Sequence, residues 1–296
     1  MITFTVFTPT FNRAHLLPLV YRSLCAQNFK NFEWLIVDDG STDSTKTIVS
    51  EWIQEQQIAI RYFRQSNQGK HVAFNYGIMQ AAGELFLPLD SDDVCVSNAL
   101  LRLYESWTRI PAIERENYSG VTCLCKNTKG DVLGGYFPAD IFDSDSLNVM
   151  FRLGISGDKW GFHRTDILRE NLFPVIQGEK FIVEGIVWNR IAARFKMRFV
   201  NEPLLIAGYF SDGLSRSSVK LRANNPNGAC LYYCEFSQLP IPIYQRAKAM
   251  VNYWRFHPHR KGTIKQGVAD MGVISLLLRP IGIAYFLRDR AKLKGN

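Results

Sequence analysis

The chain lacks any run long and apolar enough to cross a bilayer. In the tail, Met271–Leu278 and Pro280–Leu287 hold eight uncharged residues each and are split by Arg279, whereas a spanning helix needs roughly 20. No leader of basic and then apolar residues comes before Thr3-Phe4-Thr5-Val6, which already reads as a strand, so export through a cleaved signal is not expected. Cysteines are few: Cys25, Cys95, Cys123, Cys125, Cys230 and Cys234 are spread over 296 residues, too sparse for a disulfide framework. Neither the Cys123/Cys125 pair nor the Cys230/Cys234 pair has a His/Cys partner set at zinc spacing, so buried thiols in a reducing cytosol are the expectation. Internal repeats and low-complexity tracts are missing too, which argues against solenoids and long disordered linkers.

Acidic residues become scarce after Pro240. Asp270 and Asp289 stand there against eleven Lys or Arg, while the first 239 residues hold 24 basic and 25 acidic side chains. The net charge of +8 therefore resides in the tail, and such a tail suits an anionic surface, either nucleic acid or acidic lipid. What remains is ordinary, since 47% hydrophobic and 21% charged residues describe a folded globular protein. The expectation is one α/β domain over residues 1–240 and a basic, amphipathic helical region over 241–296.

Through the N-terminal third, short apolar strands alternate with amphipathic helices, the pattern of a parallel sheet joined by right-handed crossovers. Strands are predicted at Thr3–Phe7, Glu33–Val37, Ile58–Phe63 and Leu85–Leu89, and helices at Ala14–Gln27, Ser44–Gln56 and Lys70–Ala82. Each strand ends in a polar cluster: Thr8–Arg13, Asp38–Asp43, Asn67–Lys70 and Asp90–Asp93. In an open α/β sheet such ends share one edge, where ligands bind. Further on, Val121–Phe137 reads as a hairpin turning at Lys129-Gly130-Asp131. Helices are expected near Leu147–Leu153 and Val183–Phe195, and strands at Met197–Val200 and Leu204–Tyr209.

Asp90-Ser91-Asp92-Asp93 puts three carboxylates just past an apolar strand. Crowded anions repel unless a cation joins them, and hard oxygen ligands favour magnesium or manganese, which also bind phosphate. An aspartate in this place also serves as N-cap for a following helix, here near Ser97. Asp43 or Ser41 can cap the helix after the second strand, which does not explain the paired Asp38 and Asp39 at the strand end; these could instead accept hydrogen bonds from a nucleobase N–H or ribose hydroxyls. Lys70 opens the third helix, an unfavourable place for a cation unless an anion is also present. It therefore marks a phosphate site or is a solvated surface lysine.

Thr8-Pro9-Thr10-Phe11-Asn12-Arg13, Val37-Asp38-Asp39-Gly40-Ser41-Thr42-Asp43, Asn67-Gln68-Gly69 through Asn75 and Gly77, and Leu89-Asp90-Ser91-Asp92-Asp93, in this order and spacing, resemble the family-2 glycosyltransferases of the GT-A fold. The resemblance is strong over residues 2–110 and weakens towards 210. It implies an α/β fold with a GT-A-type, mostly parallel central sheet flanked by helices. It also implies an inverting transferase with a nucleotide-sugar donor, a uridine diphosphate sugar. By the same resemblance Thr8, Pro9 and Asp39 contact the base, and Lys70 meets nucleotide or phosphate. Asp92 is the implied ligand of a divalent metal, Mn or Mg, with Asp90 serving the ribose or the metal's surroundings. The family's general base is a carboxylate from a Glu-Asp pair near the start of a late helix. Glu184 fits the first position, but Gly185 replaces the Asp, which leaves Glu184 as the catalytic base. Arg216, in the Gly-bearing stretch Ser211–Arg216, would close over the diphosphate. Trp160, His163 and Arg164 are candidates for the acceptor side or for assisting the metal.

In the tail, Ile274, Leu277, Leu278, Ile281, Tyr285 and Phe286 accompany Arg279, Arg288, Arg290, Lys292 and Lys294. That mixture suits either docking on anionic lipid or an amphipathic helix packed on the protein. Joined to the resemblance, it suggests a glycan or lipid-linked acceptor, surface polysaccharide synthesis, and a cytoplasmic protein peripheral on the inner face of the plasma membrane. Two other classes compete. A sugar-1-phosphate nucleotidyltransferase would carry a Gly-rich basic loop after the first strand, and Thr8–Arg13 contains no Gly. A nucleic-acid-binding protein would thread basic residues with stacking aromatics, whereas aliphatic residues dominate beyond Val268; nucleic acid is not an expected partner.

Overall fold

The computed structural model describes residues 2–208, 218–260 and 262–294. They belong to two compact units, Met1–Leu172 with Arg194–Phe210, and Phe173–Ala193 with Ser211–Asn296. The boundary expected at 240 thus falls inside the second unit, which also takes a segment from the middle of the chain.

The first unit contains β1 (Phe4–Thr10), α1 (Leu17–Cys25), β2 (Phe32–Asp38), α2 (Thr45–Glu55), β3 (Ile60–Arg64), α3 (Lys70–Gln80), β4 (Leu85–Pro88), β5 (Val94–Cys95), α4 (Ala99–Thr108), β6 (Tyr118–Lys126), β7 (Ile141–Ser144), β8 (Lys159–Arg164), α5 (Thr165–Glu170) and, after the excursion into the second unit, β9 (Lys196–Ile206). The strands form one sheet in the order β3-β2-β1-β4-β8-β6-β9-β5, with β7 also paired to β9. From β3 to β4 it is parallel. Beyond β4 it is mixed, because β8 runs antiparallel to both β4 and β6, while β9 runs parallel to β6.

Every residue of β1 and β2 is buried, as expected for strands covered by helices on both faces. On one face Trp34 lies 6.2 Å from Tyr21 and 5.9 Å from Trp52, rings stacked. On the other, Phe7 meets Phe74 of α3 and Phe86 of β4, each at 5.0 Å. Helix α3 reaches that ring only because position 77 is glycine: a Cβ there would lie 2.2 Å from the Phe7 ring.

Three expectations need correcting. Of the hairpin expected over Val121–Phe137 only the tip forms: Lys126↔Val132 is a lone antiparallel bridge, with the Leu133 N–H donating to the Cys125 carbonyl at 2.8 Å, and the strand partners of β6 are β8 and β9. Lys159–Arg164, for which no strand is predicted, forms β8, with Trp160 and Phe162 alternating into the core. The two strands predicted over 197–209 are one strand, and shifts in its register against β6 accommodate Pro203.

The second unit is helical: α6 (Gly185–Ala192), α7 (Ser218–Asn224), α8 (Pro226–Gln238), α9 (Ile243–Phe256), α10 (Ile264–Met271) and α11 (Arg279–Lys294). Its core gathers Cys230, Tyr253, Trp254, Phe256 and Met271. Among the described residues no helix is long and apolar enough to cross a membrane.

Candidate active site

Parallel register brings the strand ends together. Thr10 lies opposite Asp38, and Asp38 opposite Arg64; the Leu89 N–H donates to the Phe7 carbonyl at 2.8 Å. The loops after β1 and β2 are then clasped. Asn12, in the left-handed region at φ 54°, accepts from the Thr42 N–H and donates its own N–H to Ser41 Oγ, both at 2.8 Å. The Ala14 N–H adds a bond to Asp43 Oδ2 at 2.9 Å.

The buried Asp39 carboxylate accepts four hydrogen bonds. They come from the N–H groups of Gln68 and Gly69, at 2.9 and 2.8 Å, and from the side-chain amides of Gln65 and Asn67, at 2.8 and 3.2 Å. These fill the acceptor positions a carboxylate offers and hold residues 65–69 at the entrance to α3. Asp38 accepts from the Ser41 N–H at 2.7 Å and the Tyr62 hydroxyl at 2.6 Å. Burial, reinforced by that bond, drives the Tyr62 phenol well above its ordinary range. Thr8 and Pro9 are buried within β1, and Thr8 Oγ1 accepts from the Trp34 indole at 2.9 Å. Of the residues expected at the base, Thr8 and Asp39 therefore engage protein partners.

Asp90, Asp92 and Asp93 each present a carboxylate oxygen, and these three atoms lie within 4.8 Å of one another, half-buried. The Lys70 ammonium stands 2.9 Å from Asp90 Oδ2. Asp93 accepts from the Gly208 N–H, just past β9, at 2.9 Å. Burial and then the Asp90 charge push the Asp93 carboxyl up to about 7. Asp92 is raised by the same two causes, with Arg13 and Lys70 pulling the other way. Carboxylates held together against desolvation and mutual repulsion are what a divalent cation relieves. Three hard oxygens fit magnesium or manganese. The capping alternative falls away, because Asn98 holds the N-cap position of α4.

Glu184 belongs to the second unit, where it is half-buried at the N-cap position of α6. A Cβ on Gly185 would lie 3.2 Å from the Tyr232 ring, so an Asp there would crowd that ring. Glu179, in the same stretch, is committed to α8: it accepts from the Asn227 N–H at 2.7 Å and the Gly228 N–H at 2.8 Å. Arg216 lies outside the described residues. His163 pairs with Phe86, four residues before Asp90, a distance of roughly 13 Å along an extended strand. That place removes it from the carboxylates, and burial lowers its imidazole to about 4. Trp160 is a core residue whose indole donates to the Pro88 carbonyl at 2.6 Å.

Residues 5–130 match the family described as Glycosyl transferase family 2. The chain carries a family 2 glycosyltransferase domain. Over 144 residues it is 35% identical to the GalNAc(5)-diNAcBac-PP-undecaprenol beta-1,3-glucosyltransferase of Campylobacter jejuni, covering 48% of this chain and 44% of that protein. Crystalline S. aureus TarS 1-349 aligns with a TM-score of 0.63 at 17% identity, covering 100% of this chain and 92% of that one. The mannosyltransferase PcManGT of Pyrobaculum calidifontis, in complex with GDP-Man and Mn2+, aligns with a TM-score of 0.58 at 17% identity, covering 96% and 80%. Likeness at such identities concerns the fold, which is the expected GT-A type. The chain spans less than half the length of the curated relatives it matches.

Two contributors to the site escape a reading of the sequence. Gly208 is one, since its approach to Asp93 follows from Val94 pairing with Ile206. The Asn12 clasp is the other, and its bonds to residues 41 and 42 exist only once β1 and β2 lie side by side.

Proposed function

We propose that the chain transfers a sugar, with inversion, from a uridine diphosphate donor to a glycan or lipid-linked acceptor in surface polysaccharide synthesis. The observation that carries this is the group Asp90, Asp92 and Asp93 beside Lys70 at the end of β4, inside a family 2 glycosyltransferase domain. Asp92 would hold a divalent metal, manganese or magnesium, with Asp93 and Asp90 alongside; when bound, it supplies Lewis-acid neutralisation of the leaving diphosphate. Lys70 adds an ammonium at the N-terminus of α3, where the helix dipole also favours phosphate. Asp39 keeps the 65–69 loop in place as one wall of the nucleotide site, and Thr8 and Pro9 form its floor. Glu184 takes the proton from the attacking acceptor hydroxyl, and Arg216 pairs with the diphosphate.

The choice of uridine is supported by TarS 1-349 having been crystallised with UDP-GlcNAc and with UDP. A lipid-linked acceptor is supported by the name of the Campylobacter jejuni relative. Such an acceptor implies work at the cytoplasmic face of a membrane. The nucleotidyltransferase reading has no Gly-rich basic loop after β1 behind it.

Titration calorimetry with UDP tests the reading. Binding is expected to tighten at least tenfold when MnCl2 is added, about 1.4 kcal/mol, and Asp92→Ala is expected to abolish that gain. Equal affinity with and without the metal would sink the assignment. Hydrolysis across a panel of nucleotide sugars then identifies the donor.

A further inference from the structure

In the second unit, the turn Val273–Leu278 carries three aliphatic side chains into solvent: Val273, Ile274 and Leu277 are 67%, 73% and 79% exposed. The turn is anchored beneath them. Ser275 is buried and its hydroxyl accepts from the Trp254 indole at 3.2 Å, while Leu276 packs on the cluster of Trp254 and Met271. Helix α11 continues the pattern. Its inner side is fixed by Phe286 against the His259 ring at 5.0 Å and by Asp289 on Arg255. Its outer side presents Ile281, Tyr285, Arg288 and Lys292 on successive turns, all exposed. The outer face therefore grades from aliphatic at residues 273–281 to basic at 288–292.

At the basic end the acids are outnumbered, and Arg288 shares one of them, 3.7 Å from Asp289. Asp289 is engaged by Arg255 and Asp270 by Arg260, and these are the two acids after Pro240. Arg290 and Lys292 are exposed and have no carboxylate partner among the described residues. Arg288 stacks over Tyr285, 4.6 Å from the ring centroid, an amphipathic pair of the kind that sits at headgroup depth.

We propose that this face docks the chain on an anionic bilayer. Val273, Ile274 and Leu277 enter the boundary between headgroups and acyl chains, while Arg288, Arg290 and Lys292 meet lipid phosphates. An aliphatic tip beside a basic flank complements that boundary. Single-stranded nucleic acid would instead call for stacking aromatics between the cations, and a second copy of the chain would oppose the basic flank with its own charge. The proposal extends the lipid-linked acceptor reading but stands on residues remote in sequence from the carboxylates. Vesicle binding and UDP binding can therefore fail separately.

Cutting the chain near 267 would strip Met271 and Leu276 from the Trp254 cluster, so point substitutions serve better. Flotation of the full chain with phosphatidylcholine vesicles containing about one third phosphatidylglycerol is expected to recover it, and pure phosphatidylcholine vesicles are not. The double variant Ile274→Glu/Leu277→Glu and the double variant Arg290→Glu/Lys292→Glu should each lower the bound fraction roughly tenfold. Both should retain the wild-type melting temperature and UDP affinity, because the altered side chains are exposed. Equal recovery with both vesicle types, variants floating like wild type, or retention of single-stranded RNA in place of vesicles would each overturn the proposal.

Discussion

The Lys70 ammonium lies 2.9 Å from an Asp90 carboxylate oxygen, a cation from the first residue of α3 meeting an anion from the loop after β4. Both side chains are partly exposed, so the pair itself contributes at most about 1 kcal/mol to stability. Its effect is positional: it stations a positive charge beside Asp92 and Asp93. Replacing Lys70 by Met is expected to weaken UDP binding in manganese roughly tenfold, the weight of one charge-assisted phosphate contact. The melting temperature should fall by no more than about 3 °C. Unchanged affinity in calorimetry would reduce Lys70 to a local partner of Asp90.

Asp39→Asn separates a structural from a ligand-binding role. The carboxylate satisfies the N–H groups of Gln68 and Gly69, and an amide in its place turns an NH2 group towards donors. Loss of about 2 kcal/mol of unfolding free energy is expected in urea titrations, with weaker UDP binding following from the loosened 65–69 loop. Full stability with weakened UDP binding would mean instead that Asp39 serves the nucleotide alone.

The residues that a single strand and its flanks explain are those legible without the structure. The short, largely apolar runs of β1 and β2, and the carboxylates trailing Leu89, announce a buried parallel sheet and its ligand edge by composition and order alone. Where a pairing crosses tens of residues, that legibility fails. Lys159–Arg164 becomes β8 because Phe86 and Val121 flank it, and nothing local to Gly161 or His163 indicates a strand. The hairpin expected at 121–137 stops at its tip for the same reason, because the rest of β6 pairs with β8 and β9. The segment 173–193 joins the second unit through contacts such as Glu179 on Asn227, which no boundary in composition marks. Asp39 shows the limit within the site itself. Its position after β2 reads as a base contact, while its four donors come from 26 to 30 residues further along the chain.

Glu184→Gln removes the proton acceptor and keeps the shape of the α6 N-terminus. Donor affinity should match wild type, while transfer to the acceptor should fall roughly 10²- to 10⁴-fold, the usual worth of general-base assistance. Single-turnover transfer at the wild-type rate would place the base on another residue.

His163 ties stability to pH. Burial lowers its imidazole to about 4 in the folded chain, against about 6.5 in an unfolded one. Between those values the unfolded state binds more protons, so unfolding free energy falls as pH drops through the window and is fully retained above it. Going from pH 7.5 to pH 5, this one group should cost about 2 kcal/mol. Carboxylates elsewhere titrate in the same range, so the comparison must be with His163→Asn, which lacks the titration and keeps a polar side chain between Phe86 and Gly120. Urea titrations at the two pH values should show wild type losing about 2 kcal/mol more than the variant. Equal losses would mean that the folded chain admits the imidazolium.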